Sequence, residues 1–171
     1  SDNAITSFSK KLILENKLVV HTSGAMNINC LESTSNKGVF YPLQSFSKNK
    51  NMDFSKVPIC IEAENEIDIN LLEKLARKIN SPIYKVSSEK REKLHVAAVF
   101  VNNFTNYLYH LGEEICTSEN IPFEILKPLI KETSAKLKKM SPKDAQTGPA
   151  RRNDTQTIEN HLKLLTKNQQ E

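Results

Sequence analysis

Residues 18–24 read Leu18-Val19-Val20-His21-Thr22-Ser23-Gly24, a short apolar run that stops abruptly at polar side chains. The run predicts a buried β-strand, because β-branched side chains suit a pleated and partly covered surface. In α/β proteins, ligand contacts are found where strands end, at the carboxyl edge of the sheet. The stretch therefore predicts an α/β sheet with a candidate site at its polar end.

The residues around this strand continue the α/β pattern. Val57-Pro58-Ile59-Cys60-Ile61 is a continuous apolar run that suits a strand buried on both faces. A helix bearing Leu71, Leu72, Leu75 and Ile79 follows, and it must end before Pro82. Residues 82–86 predict another short strand. Residues 1–86 are therefore expected to form one α/β domain.

Residues 87–171 have a different pattern of apolar residues, which predicts only helices. A helix is expected from Ser88 to about Thr117, with apolar residues over most of its circumference. Because a helix that is apolar nearly all round has to be buried, we expect it to pack against a second copy in a homodimer. The expected fold class is thus α/β in residues 1–86 followed by an all-α domain in residues 87–171.

Glycine and charge exclude several classes of function. The sequence has four glycines, and no two of them are closer than 14 positions: Gly24, Gly38, Gly112 and Gly148. Neither GxGxxG nor GxxxxGK[ST] can occur, so this chain has no standard loop for cradling phosphates. The net charge of +4 is spread over both halves of the chain. We therefore expect no nucleic-acid partner.

Membrane and metal functions are not expected either. No apolar run approaches the 18 or so residues of a membrane span. The three cysteines form no C-x-x-C motif and fit a reduced, cytoplasmic setting. No two of the four histidines lie three or four positions apart, which excludes zinc sites of the HExxH type.

Several polar residues remain as candidates, each with a structural alternative. Ser23 could contact a ligand or stabilise a turn. His95 could be a core histidine or could line a cleft, and Asn103 could border the same cleft. Arg151 and Arg152 could clamp an anionic group, or they could be two solvated arginines before a helix.

Four motifs in order give the chain a family resemblance. They are His21-Thr22-Ser23-Gly24, Gly38 with Tyr41-Pro42-Leu43-Gln44-Ser45-Phe46, His95 to Phe104, and Thr147-Gly148-Pro149-Ala150-Arg151-Arg152-Asn153-Asp154. The set resembles a family of Rossmann-like NADP oxidoreductases whose helical C-terminal domain has no known function. That family is similar to pyrroline-5-carboxylate reductase, ketopantoate reductase and 6-phosphogluconate dehydrogenase. The chain differs from the family pattern at Tyr41, where histidine is usual, and at Asn153, where glycine is usual.

The resemblance implies hydride transfer between NADP and a small substrate. It implies that His21 and Ser23 contact the cofactor and that His95 is the proton donor or substrate polariser. It also implies that Asn103 orients the substrate. The residues that would bind the substrate are Ser23, Gly24, Thr147, Gly148, Arg151 and Arg152. The helical part would resemble the C-terminal domain of 6-phosphogluconate dehydrogenase.

Members of that family begin with a strand, a glycine-rich loop and a helix that hold the cofactor pyrophosphate. The start of this chain resembles a point well downstream of that loop. We therefore expect residues 1–86 to be the C-terminal half of a Rossmann-like domain, and we expect NADP to bind the complete protein but not this fragment alone. The alternative is a non-catalytic protein that keeps the fold for nucleotide sensing or dimer formation.

Overall fold

The four strands form one mixed sheet in the computed structural model, which describes residues 1–32 and 36–170. The strands are β1 (Leu18–His21), β2 (Asn36–Pro42), β3 (Ile59–Ala63) and β4 (Ile83–Lys85), and they are hydrogen-bonded in that order. β1 and β2 are parallel, β2 and β3 are antiparallel, and β3 and β4 are parallel. The predicted strands in residues 18–20, 57–61 and 82–86 are confirmed, within two residues at each end.

The register of the strands divides the sheet into two chemically different faces. His21 lies beside Val39, and Val39 lies beside Glu62. Because directly paired residues share a face, these three side chains lie on one side of the sheet. Tyr41, two positions along β2, is on the same side. This polar face carries His21, Tyr41 and Glu62, and the opposite face carries aliphatic side chains.

The aliphatic face forms the hydrophobic core of the α/β part. Ile59 and Ile61 from β3 are almost completely buried there. Helix α2 (Glu66–Lys78) adds three buried side chains, Ile69, Leu72 and Ala76, which recur at the spacing of one helix face. Burial of this apolar surface is the main source of stability on this side of the sheet.

The ends of α2 are specified by local chemistry. The Asn65 side chain caps the helix by accepting a hydrogen bond from the backbone N–H of Asp68 at 2.9 Å. The acidic residues of the first turn and the basic residues of the last turn both suit the helix dipole. Asn80 follows in the left-handed conformation (φ 56°), which ends the helix just before Pro82.

Helix α3 (Ser88–Ala98) brings polar side chains to the polar face of the sheet. Ser88, Arg91 and His95 recur at intervals of three and four residues, so they lie on one face of the helix. That face contacts Glu62 and Tyr41. The α3 side of the sheet is therefore held by hydrogen bonds and charge, in contrast to the α2 side.

The described residues form two compact units, Ser1–Asn102 and the part of the chain from Asn103 onward. Besides the sheet, α2 and α3, the first unit contains helix α1 (Asp2–Ser9) and short 3₁₀ turns at Ile28–Cys30 and Phe54–Lys56. The second unit is helical, with α4 (Thr105–Ser118), a 3₁₀ turn (Phe123–Leu126), α5 (Lys127–Lys136), α6 (Pro142–Ala145), α7 (Pro149–Arg152), α8 (Thr155–Leu164) and α9 (Lys167–Gln170). The expected class, α/β followed by helices, is confirmed. The domain boundary at residues 86 and 87 stays a prediction.

The expected helix from Ser88 to about Thr117 is helical throughout that range but not uniformly α-helical. Residues Val99–Phe104 form π-helical turns between α3 and α4. Asn102 and Asn103 lie in this segment, and asparagine is a poor former of α-helix. π-helical segments are rare and are often found at functional sites. The prediction of one regular helix was therefore wrong over these six residues.

Candidate functional site

The turn after β1 is built by its own side chains. His21 Nδ1 accepts a hydrogen bond from the backbone N–H of Ser23 at 3.2 Å. The Ser23 hydroxyl then accepts from the backbone N–H groups of Ala25 and Met26, both at 3.1 Å. Side chains that bond to backbone a few residues ahead favour turns over continued strand. His21 and Ser23 therefore both stabilise the turn, and both are buried.

Arg91 fixes this turn to the sheet and to α3. Its side chain is fully buried, and Nη1 donates to Glu62 Oε2 at 2.5 Å. Nη2 donates to the backbone carbonyl of Met26 in the turn and to Ser88 Oγ at 3.2 Å. One guanidinium group thus connects β3, the turn after β1 and the start of α3.

Glu62 completes the network from the strand side. Its Oε1 accepts from the backbone N–H of Ser88 at 2.9 Å, and its Oε2 accepts from the Ser88 hydroxyl at 2.8 Å. A buried ion pair is tolerated only when further hydrogen bonds support its charged groups, and here they reach both carboxylate oxygens of Glu62 and both terminal nitrogens of Arg91. Removal of one partner alone would leave an uncompensated charge, at a cost of about 3–5 kcal/mol.

His95, one turn beyond Arg91, contacts both the turn and β2. Its Nδ1 lies 3.2 Å from the Tyr41 hydroxyl oxygen, and the two rings meet edge to face with centroids 6.1 Å apart. Gly24 lies against the same pair. A Cβ atom at position 24 would stand 2.6 Å from His95 Nδ1 and 2.8 Å from the Tyr41 hydroxyl oxygen. Only glycine fits at position 24 without displacing these rings.

A cleft of about 500 Å³ opens at the carboxyl end of β1, beside α1. Its polar wall is the beginning of the turn, with His21, Thr22 and Ser23. Its apolar wall includes Ile5 and Phe8 of α1. The cleft therefore lies at the polar end of β1, where the sequence predicts a candidate site.

The buried imidazole of His21 is electrostatically biased toward its neutral form. Burial lowers the pKa of His21, and the nearby positive charge of Arg91 lowers it further. The opposing influences, led by the backbone carbonyl of Asn27, are weaker. Within residues 1–32 and 36–170, His21 Nε2 and Arg91 Nε are the buried side-chain nitrogens without a hydrogen-bond partner.

The remaining predicted site residues belong to the second unit. Asn103 is exposed in the π-helical segment. Gly148 has a φ of 97°, which favours glycine, and precedes Pro149 at the start of α7. Their placement as substrate contacts stays a prediction.

The two arginines of α7 have different surroundings. Arg151 Nη1 donates to the backbone carbonyls of Lys143, Asp144 and Gln146 at 2.8–3.0 Å. Arg152 has a single long contact of 4.0 Å with the Asp154 carboxylate. Arg151 therefore stabilises the segment around α6, and Arg152 is the less engaged of the two cations.

The second unit has a cleft of its own, of about 680 Å³, lined by Tyr107, His110, Glu113 and Glu114 among others. His110 Nε2 lies 3.5 Å from Glu114 Oε1. In the part of the chain that the structure describes, no three His, Cys, Asp or Glu side chains are arranged to hold a metal ion. None of the described helices has the length and apolar character needed to span a bilayer.

Sequence reasoning missed Glu62, Ser88, Arg91 and the role of Tyr41. A signal for Glu62 existed, because a carboxylate that directly follows the buried run Ile59-Cys60-Ile61 needs a partner if the strand continues through it. The spacing of Ser88, Arg91 and His95 on one helix face was a second signal. Neither signal identifies the partner, since Glu62 and Arg91 are 29 positions apart.

A comparison with protein-family models assigns the chain to a family. Residues 57–171, about two thirds of the chain, match the model of the domain of unknown function DUF2520. The chain belongs to this family. DUF2520 thus includes strands β3 and β4 and all the helices from α2 onward. No protein with a curated function matches the sequence significantly.

Two solved structures are similar to this DUF2520 protein. One is a Bacteroides fragilis protein called a "putative NADP oxidoreductase", with 40% identity and a TM-score of 0.88 over 97% of this chain. The other is a Thermotoga maritima protein, with 25% identity and a TM-score of 0.77 over 94% of this chain. The chain spans 66% and 65% of their lengths. The Rossmann-like, oxidoreductase-like fold is therefore supported.

The lowered pKa of His21 predicts a pH dependence of stability. Because the folded-state pKa lies below the unfolded value of about 6.5, the contribution is present above that value and is lost as the pH falls through the folded pKa. We expect His21→Asn to flatten the fall in melting temperature between about pH 7 and pH 5. Asparagine keeps an acceptor near the Ser23 N–H. His161→Asn, at an exposed position of α8, should keep the wild-type slope, and equal slopes in all three proteins would contradict the assignment.

Proposed function

We propose that the full-length protein is an NADP-dependent oxidoreductase that transfers a hydride between the cofactor and a small substrate. One observation carries the proposal: the His21–Gly24 turn at the end of β1 lies directly against His95, and a cleft opens beside the same turn. The Bacteroides fragilis structure, with the same fold and 40% identity, supports the choice of cofactor. The resemblance to pyrroline-5-carboxylate reductase and ketopantoate reductase supports a small carbonyl or imine substrate.

The cleft at β1 fits the nicotinamide end of such a cofactor. It combines an apolar wall from Ile5 and Phe8 with polar atoms of the turn, which suits a flat ring bearing one amide. When bound, nicotinamide supplies or accepts the hydride. The role of His21–Ser23 would be to hold the ring at the end of β1, while Ile5 and Phe8 keep water away from it.

The same chain does not fit the pyrophosphate. That group is held by backbone N–H groups of a glycine-rich loop at a helix N-terminus, and the four glycines here are too far apart to form one. The proposal therefore assigns the pyrophosphate contacts to residues outside these 171, in keeping with the longer solved structures.

His95 is the proposed partner of the substrate. Its imidazole is only partly buried, and an imidazole can either donate a proton to a carbonyl or imine or polarise it through a hydrogen bond. General acid catalysis of this kind contributes about 10²–10⁴-fold to a rate. The resemblance further implies that Asn103 orients the substrate and that Arg151 or Arg152 binds an anionic group on it, and we retain both roles as proposals.

A bulky side chain in the cleft at the end of β1 should weaken cofactor binding. Thr22 is exposed and lines the cleft, so Thr22→Trp would occupy the space proposed for the nicotinamide ring. We expect the full-length variant to bind NADPH at least about tenfold more weakly in calorimetry, whereas Thr22→Ser binds as the wild type does. A full-length wild type that binds neither NADPH nor NADH would contradict the proposed function.

A homodimer is the second part of the proposal. Large apolar side chains are exposed along the helical residues 88–118, among them Val96, Val101 and Leu108. Val101 is 75% exposed. Isolated exposed apolar residues are common, but a series along one helical segment is typical of an interface. The occupant we propose is a second copy of the chain.

A carboxylate introduced on the apolar surface of residues 88–118 should dissociate the proposed dimer. We expect Val101→Asp to convert a dimer into a monomer of 19.4 kDa in light scattering after gel filtration, because the dimer would bury the new carboxylate without a partner. Ile67→Asp, at an exposed position in the first turn of α2, should leave the mass unchanged. A wild-type chain that is monomeric at tens of micromolar would show that no such dimer forms.

A further inference from the structure

The contact between Tyr41 and His95 distinguishes two roles that the proposed function allows for His95. A histidine that assists hydride transfer can donate a proton, or it can polarise the substrate through a hydrogen bond from a neutral imidazole. The two roles differ in which ring nitrogen carries a proton and where that nitrogen points. In His95, Nδ1 faces Tyr41 and Gly24, so the Nε2 edge of the ring points away from them.

The direction of the hydrogen bond follows from the chemistry of its partners. A phenol hydroxyl is a stronger donor than a neutral imidazole N–H, and an imidazole nitrogen is a stronger acceptor than a phenol oxygen. The favoured arrangement over the 3.2 Å contact is therefore Tyr41 O–H donating to His95 Nδ1. Burial raises the pKa of Tyr41, which keeps the phenol protonated and able to donate.

We propose that Tyr41 is a positioning residue that donates its hydroxyl proton to Nδ1 of His95 and so holds the neutral imidazole with its own proton on Nε2. His95 then offers the substrate a hydrogen-bond donor, and its part in the reaction is to polarise an acceptor atom. The substrate must present such an atom, a carbonyl oxygen or an imine nitrogen, to Nε2. The role of His95 in the reaction rests on the proposed function. The tautomer of His95 does not depend on it.

Gly24 limits how the ring pair can move. Its backbone fills the space beside both rings, and an added methyl group would come within 2.6–2.8 Å of the two hydrogen-bonding atoms. Gly24 belongs to the turn that Arg91 holds through the Met26 carbonyl. The position of this turn therefore limits where the His95 imidazole can lie. Gly24→Ala should therefore separate Tyr41 from His95 without changing either side chain.

The test is the tautomer of His95, observed in long-range ¹⁵N–¹H spectra of the full-length protein at about pH 8, where imidazole is neutral. The signal is assigned by its loss in His95→Gln. In the wild type we expect an unprotonated Nδ1 and a protonated Nε2. In Tyr41→Phe we expect the tautomer ratio to move toward Nδ1–H by about fivefold, which corresponds to about 1 kcal/mol.

Matched variants separate the hydrogen bond from general effects of mutation. Tyr84→Phe, at an exposed position of β4, should leave the His95 signals unchanged. Gly24→Ala should shift them in the same direction as Tyr41→Phe. A protonated Nδ1 in the wild type, or an unchanged ratio in folded Tyr41→Phe, would overturn the proposal.

If Tyr41→Phe does not fold, the wild-type spectrum still decides the direction of the hydrogen bond. The spectra require neither cofactor nor substrate. A failure of NADPH to bind the full-length protein would therefore contradict the proposed function, while the tautomer itself is decided by the spectra alone.

Discussion

The candidate site depends on the buried guanidinium group of Arg91 and on the partners that this charge requires. A fully buried charge is tolerated only with charged and polar partners, and these come from three separate segments. Glu62 is on β3, the Met26 carbonyl is in the turn after β1, and Ser88 begins α3. Apolar burial against α2 stabilises the sheet, but such contacts are not directional. The directional contacts on the polar face are what fix the turn relative to α3.

The proposed chemistry follows from this arrangement. Because Arg91 contacts both the turn and the start of the α3 face that carries His95, one group positions the turn proposed to hold the cofactor and the imidazole proposed to contact the substrate. Catalytic groups must be held close to their productive geometry, and supporting hydrogen bonds supply that precision. Gly24 and Tyr41 extend the support to the imidazole ring. The polar face of the sheet thus orients the turn after β1 and the His95 ring, and the aliphatic face stabilises the fold.

Much of the fold could be predicted from local pattern, because a strand run such as 18–20 and the position of helix α2 depend on neighbours in sequence. The buried face of α2 could not: of the expected apolar residues Leu72 is buried, whereas Leu71 and Leu75 are about half exposed. The turn at His21–Gly24 and His95 were identified as candidates from local pattern as well. The Glu62–Arg91 pair was not, since a charged residue on a helix normally indicates a solvated face and nothing local identifies a partner on another strand. The role of Tyr41 depends on strand register, which becomes known only when the sheet is assembled.

Hydrogen exchange of backbone amides tests most directly whether the Arg91 network holds the turn. The informative protein is the double variant Glu62→Gln/Arg91→Met, which removes both charges and leaves neither buried alone. We expect amides in residues 22–31 to lose protection while those of α2 (Glu66–Lys78) keep it. The control Lys163→Met, at an exposed position of α8, should change neither segment. If residues 22–31 of the double variant stay as protected as in the wild type, the Arg91 network does not hold the turn.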